Sequence, residues 1–321
     1  MARADQIKAL ISSHLKNDGE RFTTVALQLA AAEAKSGHTK LAYEIRDLID
    51  AREKPNLKVI SVTHDLADLV LQGKHSGSYS SLVVRDELRE KIDRIAREFH
   101  SSEKLAKHGL LNRRKILLSG PPGTGKTMTS EVLSKKTGLP LFSVQIDRLV
   151  TKYLGETTAK LRQIFAMIRD RPAVYLFDEF DAIGTHRGME NEVGEMRRVL
   201  NALLQFIEND DSSSLIVAAT NNLQLLDLAL FRRFDDVLHY SKPNEGEIIS
   251  LIENRLVNFR GKHDLSAIAQ AALGLSHAEV TQACDDALKD AVLNDRNLVQ
   301  QKLLLQMIKD RKNAYGIESG E

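Results

Sequence analysis

The sequence predicts an α/β chain: a parallel sheet sandwiched by helices, followed by a small all-helical domain and preceded by an all-α module. Three observations carry this reading. Four short, continuous apolar runs, KILLSG (115–120), PLFSVQ (140–145), AVYLFD (173–178) and LIVAAT (215–220), are separated by helical stretches. Runs of this kind, bounded by turns and without polar alternation, suit a sheet that is covered on both faces. From about residue 244 the strand-like runs stop and only helix-period segments remain, while the first ~55 residues carry helical stripes alone.

In chain order, Ile7, Leu10, Ile11 and Leu15 form a first helical stripe, ended by Asn17-Asp18-Gly19. Phe22, Val25, Ala26 and Leu29 form a second, ended by Ser36-Gly37, and Leu41, Ile45, Leu48 and Ile49 a third, with Pro55 beyond it. No catalytic cluster lies here, so residues 1–72 are expected to form a helical module that binds a partner or client. GKHSGSYSS (73–81) reads as linker, with the boundary drawn at 73–84. A charged amphipathic helix from about Asp86 to Phe99 opens the α/β domain, residues 85–242. EIISLIENRL, DLSAIAQAAL and HAEVTQACDDALKDAVL are the helices of the small domain, 243–315, before a short tail, 316–321.

Composition bounds function. The 321 residues are 42% hydrophobic and 28% charged with net charge +1, an ordinary globular balance with no basic excess to favour nucleic acid. A single cysteine, Cys284, excludes an intramolecular disulfide framework and a multi-cysteine zinc site. MARADQIKAL lacks the apolar core of a signal peptide, and no apolar run approaches the ~18 residues that span a bilayer. A cytoplasmic protein without membrane partners is expected.

The chemistry concentrates in GPPGTGKT, Gly120 to Thr127, between an apolar run and a helical stretch. It fits G-x-x-x-x-G-K-[ST] in the strand–loop–helix setting that this phosphate-binding loop needs. Gly120, Pro121, Pro122, Gly123, Thr124 and Gly125 would wrap backbone N–H groups around phosphates, and the helix beginning near Met128 would add its N-terminal partial charge. Lys126 would reach the β- and γ-phosphates of ATP, and the Thr127 hydroxyl would ligate Mg²⁺. A second site must hold the metal and activate water. AVYLFDEFD supplies it: Asp178 for the Mg²⁺ shell and Glu179 as general base, at the C-terminal end of a buried strand. Asn221, after LIVAAT, is placed to hydrogen-bond the γ-phosphate or the attacking water.

GPPGTGKT, KYLGE, YLFDEFDAIG and AATNNLQLLDLALFRRFDDVLHY, in that order and spacing, resemble the AAA family of ATPases, over roughly residues 85–315. The resemblance implies that Asn221 is a sensor asparagine. It implies that Arg232 and Arg233 are arginine fingers reaching a neighbouring subunit's nucleotide, with either able to dominate. It implies a homo-oligomer, in the family's usual form a hexameric ring. Arg197 and Arg198 match a helix that the family places at the subunit interface. Lys152, Tyr153, Leu154 and Gly155 match a pore loop that grips a translocating polypeptide client, and His186 and Arg187 a second one. GLSHAEV resembles a family stretch near adenine, with His277 in place of glycine, set either against the base or at a helix start. The family's apolar-glycine signature before the loop is reduced to Leu82-Val83-Val84, and there is neither a second P-loop nor an HExxH protease motif. The implied function is an ATP-hydrolysing unfoldase or disassembly chaperone, working with a separate protease or adaptor bound by residues 1–72. The alternatives are a nucleic-acid-associated loader and a regulatory ATPase that does not thread.

Overall fold

The computed structural model describes residues 69–73, 82–149, 154–180, 190–222, 231–259 and 261–314 apart from 262, with five isolated positions before residue 69. The chain divides into two compact units, 1–61 and 62–321. The expected stripes of the first unit lie outside the described residues, except that Val25, Ala26, Leu29 and Ala30 are helical, with Ala26 and Ala30 buried.

In the second unit the described strands are β1 (Val70–Gln72), β2 (Lys115–Ser119), β3 (Leu141–Val144), β4 (Val174–Phe177), β5 (Leu215–Thr220) and β6 (Asp236–His239). They form one sheet in the order β1-β3-β4-β5-β2-β6. All neighbours are parallel except β1, which runs antiparallel to β3. The helices of this domain are α1 (Asp86–His100), α2 (Ser102–Ala106), α3 (Lys126–Thr137), α4 (Ile146–Leu149), α5 (Leu154–Asp170) and α6 (Glu190–Glu208). The small domain holds α7 (Glu245–Leu256), α8 (Leu265–Ala272), α9 (His277–Leu293) and α10 (Gln301–Ala314).

The period-two geometry of strands explains the layering. On one face Tyr175, Phe177, Ile216 and Ala218 pack with Ile164 and Ile168 of α5 and Leu203 and Ile207 of α6. On the other, Val174, Leu176, Leu215 and Val217 pack with Ile92 and Ile95 of α1 and Val132 and Leu133 of α3. Every residue of β4 and β5 is buried, which is why their sequences are continuously apolar.

Two strands go beyond the sequence reading. Val70–Gln72, placed in the helical module on sequence, pairs with β3 in the register Val70↔Val144. Gly73 N donates to Leu141 O and Gln145 N to Leu69 O, extending the ladder. Val70–Gln72 thus belong to the sheet of the second unit. The physical reason is the edge of the sheet: without β1, the N–H and C=O groups along β3 would face outward unpaired. β6, the second addition, closes the other side against β2. Leu82, Val83 and Val84, expected as the end of a linker, are buried. Leu82 and Val84 join the core beside α1, and Val83 joins the core of the small domain.

That second core gathers Ile248, Ile252, Ile268, Val280, Leu304 and Ile308. Cys284 is buried there, and burial pushes its thiol up to about 12. Both α7 and α9 start with capping boxes, Asn244 with Glu247 and Ser276 with Glu279. α3 differs: it begins after Gly125, at φ +99°, which has no side chain to cap the first N–H groups.

Candidate nucleotide-binding site

β2 lies beside β5, and β5 beside β4, so the C-terminal ends of these three parallel strands are neighbours. The loop 120–125, the pair Asp178-Glu179 and Asn221 thereby meet at one edge of the sheet, where open α/β sheets place ligands. Two cross-strand hydrogen bonds fix the meeting point, Gly120 N to Thr220 O (3.3 Å) and Phe180 N to Ala219 O (2.9 Å).

Loop conformation explains two of the glycines. Gly120 has φ +150°, and a Cβ there would stand 2.3 Å from the Tyr240 carbonyl oxygen. Gly123 has φ +72°, and a Cβ would stand 2.7 Å from Ser276 Oγ. Within the loop, Thr124 Oγ1 donates to Pro121 O at 2.8 Å. Lys126, only 6% exposed, donates to Gly120 O at 2.7 Å, Pro121 O at 2.8 Å and Asn221 Oδ1 at 2.7 Å. Thr127 Oγ1 donates to Asp178 Oδ2 at 2.8 Å, and Asp178 Oδ1 accepts from Glu179 N at 2.9 Å. Glu179 is exposed with φ +52°, a conformation uncommon outside glycine. Met128 packs half-buried against the α1–α3 core, and Pro121, Pro122 and Gly125 complete the loop at its rim.

The small domain reaches the loop directly. Ala278 N, in the first turn of α9, donates to Gly123 O at 2.9 Å. Beside it, His277 is buried, and neither ring nitrogen has a hydrogen-bond partner among the described residues. Burial holds its pKa down to about 4, so the imidazole is neutral at pH 7, with one N–H donor and one acceptor nitrogen. It lines a cavity of about 240 Å³ with Val84, Leu88, Lys91, Tyr240 and Glu247. Ser276, Ala278 and Tyr240 were not singled out on sequence. Of these, Ser276 was signalled by the S-x-x-E pattern Ser276–Glu279. Contact of Tyr240 and Ala278 with the loop is tertiary and has no local signature.

Arg232 and Arg233 are not brought to this edge. They precede β6, where Asp235 N donates to Lys115 O and Asp235 Oδ2 accepts from the N–H groups of Arg114 and Lys115. Lys115 opens β2 and the loop follows its other end, so the arginines and the loop of one chain lie a strand apart, roughly 15 Å at ~3.3 Å per residue. Arg232 is exposed, and Arg233 pairs with Glu208 at 3.3 Å. Phe234 is buried with its ring edge toward Phe180, next to Glu179. Arg198 is exposed on α6; Arg197 lies on the same helix, its side chain outside the description. Lys152, Tyr153, His186 and Arg187 lie outside the described residues, while Leu154 and Gly155 begin α5 in backbone only.

The site offers what a nucleoside triphosphate requires: a glycine loop at a helix N-terminus, a buried cation and a hydroxyl–carboxylate pair. Comparison with known proteins narrows this. Residues 116–242 match the "ATPase family associated with various cellular activities (AAA)". The chain is 33% identical over 317 residues to the uncharacterized AAA family ATPase y4kL of Sinorhizobium fredii, covering 97% of this chain and 96% of that protein. It is 31% identical over 277 residues to proteasome-activating nucleotidase 1 of Haloferax volcanii, 80% of this chain and 68% of that one. It is also 29% identical over 268 residues to the ATP-dependent zinc metalloprotease FtsH of Rhodothermus marinus, 80% of this chain but 38% of that one. The chain belongs to the AAA family of ATPases, binds nucleotide and hydrolyses ATP.

Proposed function

We propose that this ATPase is a protein-remodelling motor, an unfoldase or disassembly chaperone that works as a ring of identical subunits, in the hexameric form usual for the family. The observation that carries the assembly is the separation of Arg232 and Arg233 from the loop of their own chain across the length of β2. A guanidinium that is to stabilise charge on a transferring phosphoryl group must touch it. These arginines therefore act on the nucleotide of a second copy, presented across a subunit interface.

Within one chain the roles divide as follows. Backbone N–H groups of residues 120–127 and the N-terminus of α3 cradle the phosphates, and Lys126 neutralises them. Oxygen donors Thr127 and Asp178 fit a hard divalent cation, and Mg²⁺ bound there would screen the phosphate charge. Glu179, exposed at the strand end, accepts a proton from the attacking water. Asn221 orients that water or the γ-phosphate. Neutral His277 faces the adenine in the cavity beside Tyr240, where an apolar wall meets one donor and one acceptor.

KYLGE supports action on polypeptide. An aromatic residue followed by the aliphatic residue and the glycine that begin α5 can grip varied side chains. Two relatives point the same way: one is named as activating the proteasome, another as an ATP-dependent protease. We assign residues 1–61 to partner or client binding, with a separate protease as one such partner. Among the described residues no helix is long and apolar enough to cross a membrane, and we place the protein in the cytoplasm.

The test is capture of bound molecules from the host by the Glu179→Gln protein in ATP. A specific polypeptide lost when Tyr153 is also changed to alanine supports threading. Nuclease-sensitive nucleic acid retained without Tyr153 overturns it, as does client processing unaffected by Tyr153→Ala.

A further inference from the structure

Lys126 carries three ammonium protons, and three acceptors stand within 2.8 Å of its nitrogen: Gly120 O, Pro121 O and Asn221 Oδ1. A phosphate oxygen taken up by Lys126 competes with these acceptors for its protons. Gly120 is pinned, since its N–H is bonded to Thr220 O and its Cα lies against the Tyr240 backbone. The Pro121 carbonyl is shared with Thr124 Oγ1 inside the loop. Both belong to the loop backbone and move only if the loop does. Asn221 is different: it sits at the exposed end of another strand, so its side chain can turn toward water without moving the loop.

We propose that Asn221 is a positioning residue that holds Lys126 in competition with phosphate, so that the lysine bonds either the asparagine or the nucleotide. This rests on the reading of Gly120–Thr127 as the phosphate loop. Two consequences follow. Breaking the Lys126–Asn221 bond is subtracted from nucleotide affinity. The asparagine amide is released by the same event that fills the loop, which ties its orientation to phosphate occupancy and prevents it from addressing water beforehand.

The sign of the effect makes this testable, because removing a residue that only supports a binding site weakens binding. ADP is the probe, since it has no γ-phosphate for Asn221 to contact. Calorimetric titration of Asn221→Ala is expected to show ADP bound about three- to tenfold more tightly than by wild type. That is less than a fully buried charged hydrogen bond implies, because Asn221 is solvent-facing. Asn221→Ser, whose hydroxyl falls short of Lys126, should behave alike; without ligand both should melt slightly below wild type, by the free energy that their tighter binding recovers, and with saturating ADP they should match it. Unchanged or weaker ADP binding in the two variants overturns the proposal, even if ATP turnover is lost. Lys126→Ala binding ADP as tightly as wild type would instead overturn the phosphate-loop reading beneath it.

Discussion

The Thr127 hydroxyl donates to Asp178 Oδ2 at 2.8 Å, joining the first turn of α3 to the end of β4. On the function proposed above, these two oxygens would take a divalent cation beside the phosphate loop. Asp178→Asn keeps the shape and removes the charge. ATP turnover is expected to fall ~100-fold or more, as it should in wild type when Mg²⁺ is chelated. Turnover that survives chelation would place the metal-independent chemistry elsewhere.

Glu179 stands in a left-handed conformation, its N–H held by Asp178 Oδ1. Gln keeps that backbone bond but cannot take a proton. Glu179→Gln should lose about 10²- to 10⁴-fold in turnover while ADP and ATP affinity stay near wild type. Single-turnover hydrolysis with parallel binding titration separates the two effects, and wild-type turnover would show that another group is the base.

Gly123 sits where loop and small domain touch, with φ +72° and no space for a Cβ before Ser276 Oγ. Gly123→Ala is strained in both respects and should destabilise the protein by about 1–3 kcal/mol. It should also weaken ADP binding, because the loop can relax only by moving away from α9. Urea unfolding and ADP titration check this, and a variant with wild-type stability would contradict the close contact.

His277 gives a pH signature. Its pKa is about 4 in the folded chain and 6.5 in the unfolded chain, so the unfolded chain binds the extra proton between these values. Its contribution is therefore complete above pH ~6.5 and is lost as pH falls toward 4, on the order of 1–3 kcal/mol. His277→Leu removes the titration. The melting-temperature difference between variant and wild type should shift in the variant's favour from pH 6.5 to 4, and a constant difference would refute the buried neutral imidazole.

The central strands were legible because β4 and β5 are buried at every position and β3 at all but Ser143, which forces nearly continuous apolar runs on the sequence. β6 was not, because DVLH is a half-covered edge strand with charges nearby, and β1 offers only three residues, two of them exposed. Their pairing is decided by which edge needs covering, a property of the assembled sheet. The loop, Asp178, Glu179 and Asn221 were legible as an ordered set of motifs, and the structure brings them to one edge. The Ala278–Gly123 bond and the partnership of Lys126 with Asn221 were not, since each joins segments distant in sequence.

Leu82, Val83 and Val84 alternate between two cores, the outer two facing the sheet and the middle one the small domain. Leu82 Cδ1 also lies 3.3 Å from where a Cβ on Gly125 would stand. Each lobe thus borrows apolar burial from a segment that the other holds in place. The two lobes are consequently expected to melt together, with calorimetric and van't Hoff enthalpies that agree across both. Loss of either lobe leaves the other with an uncovered seam at the mouth of the phosphate loop.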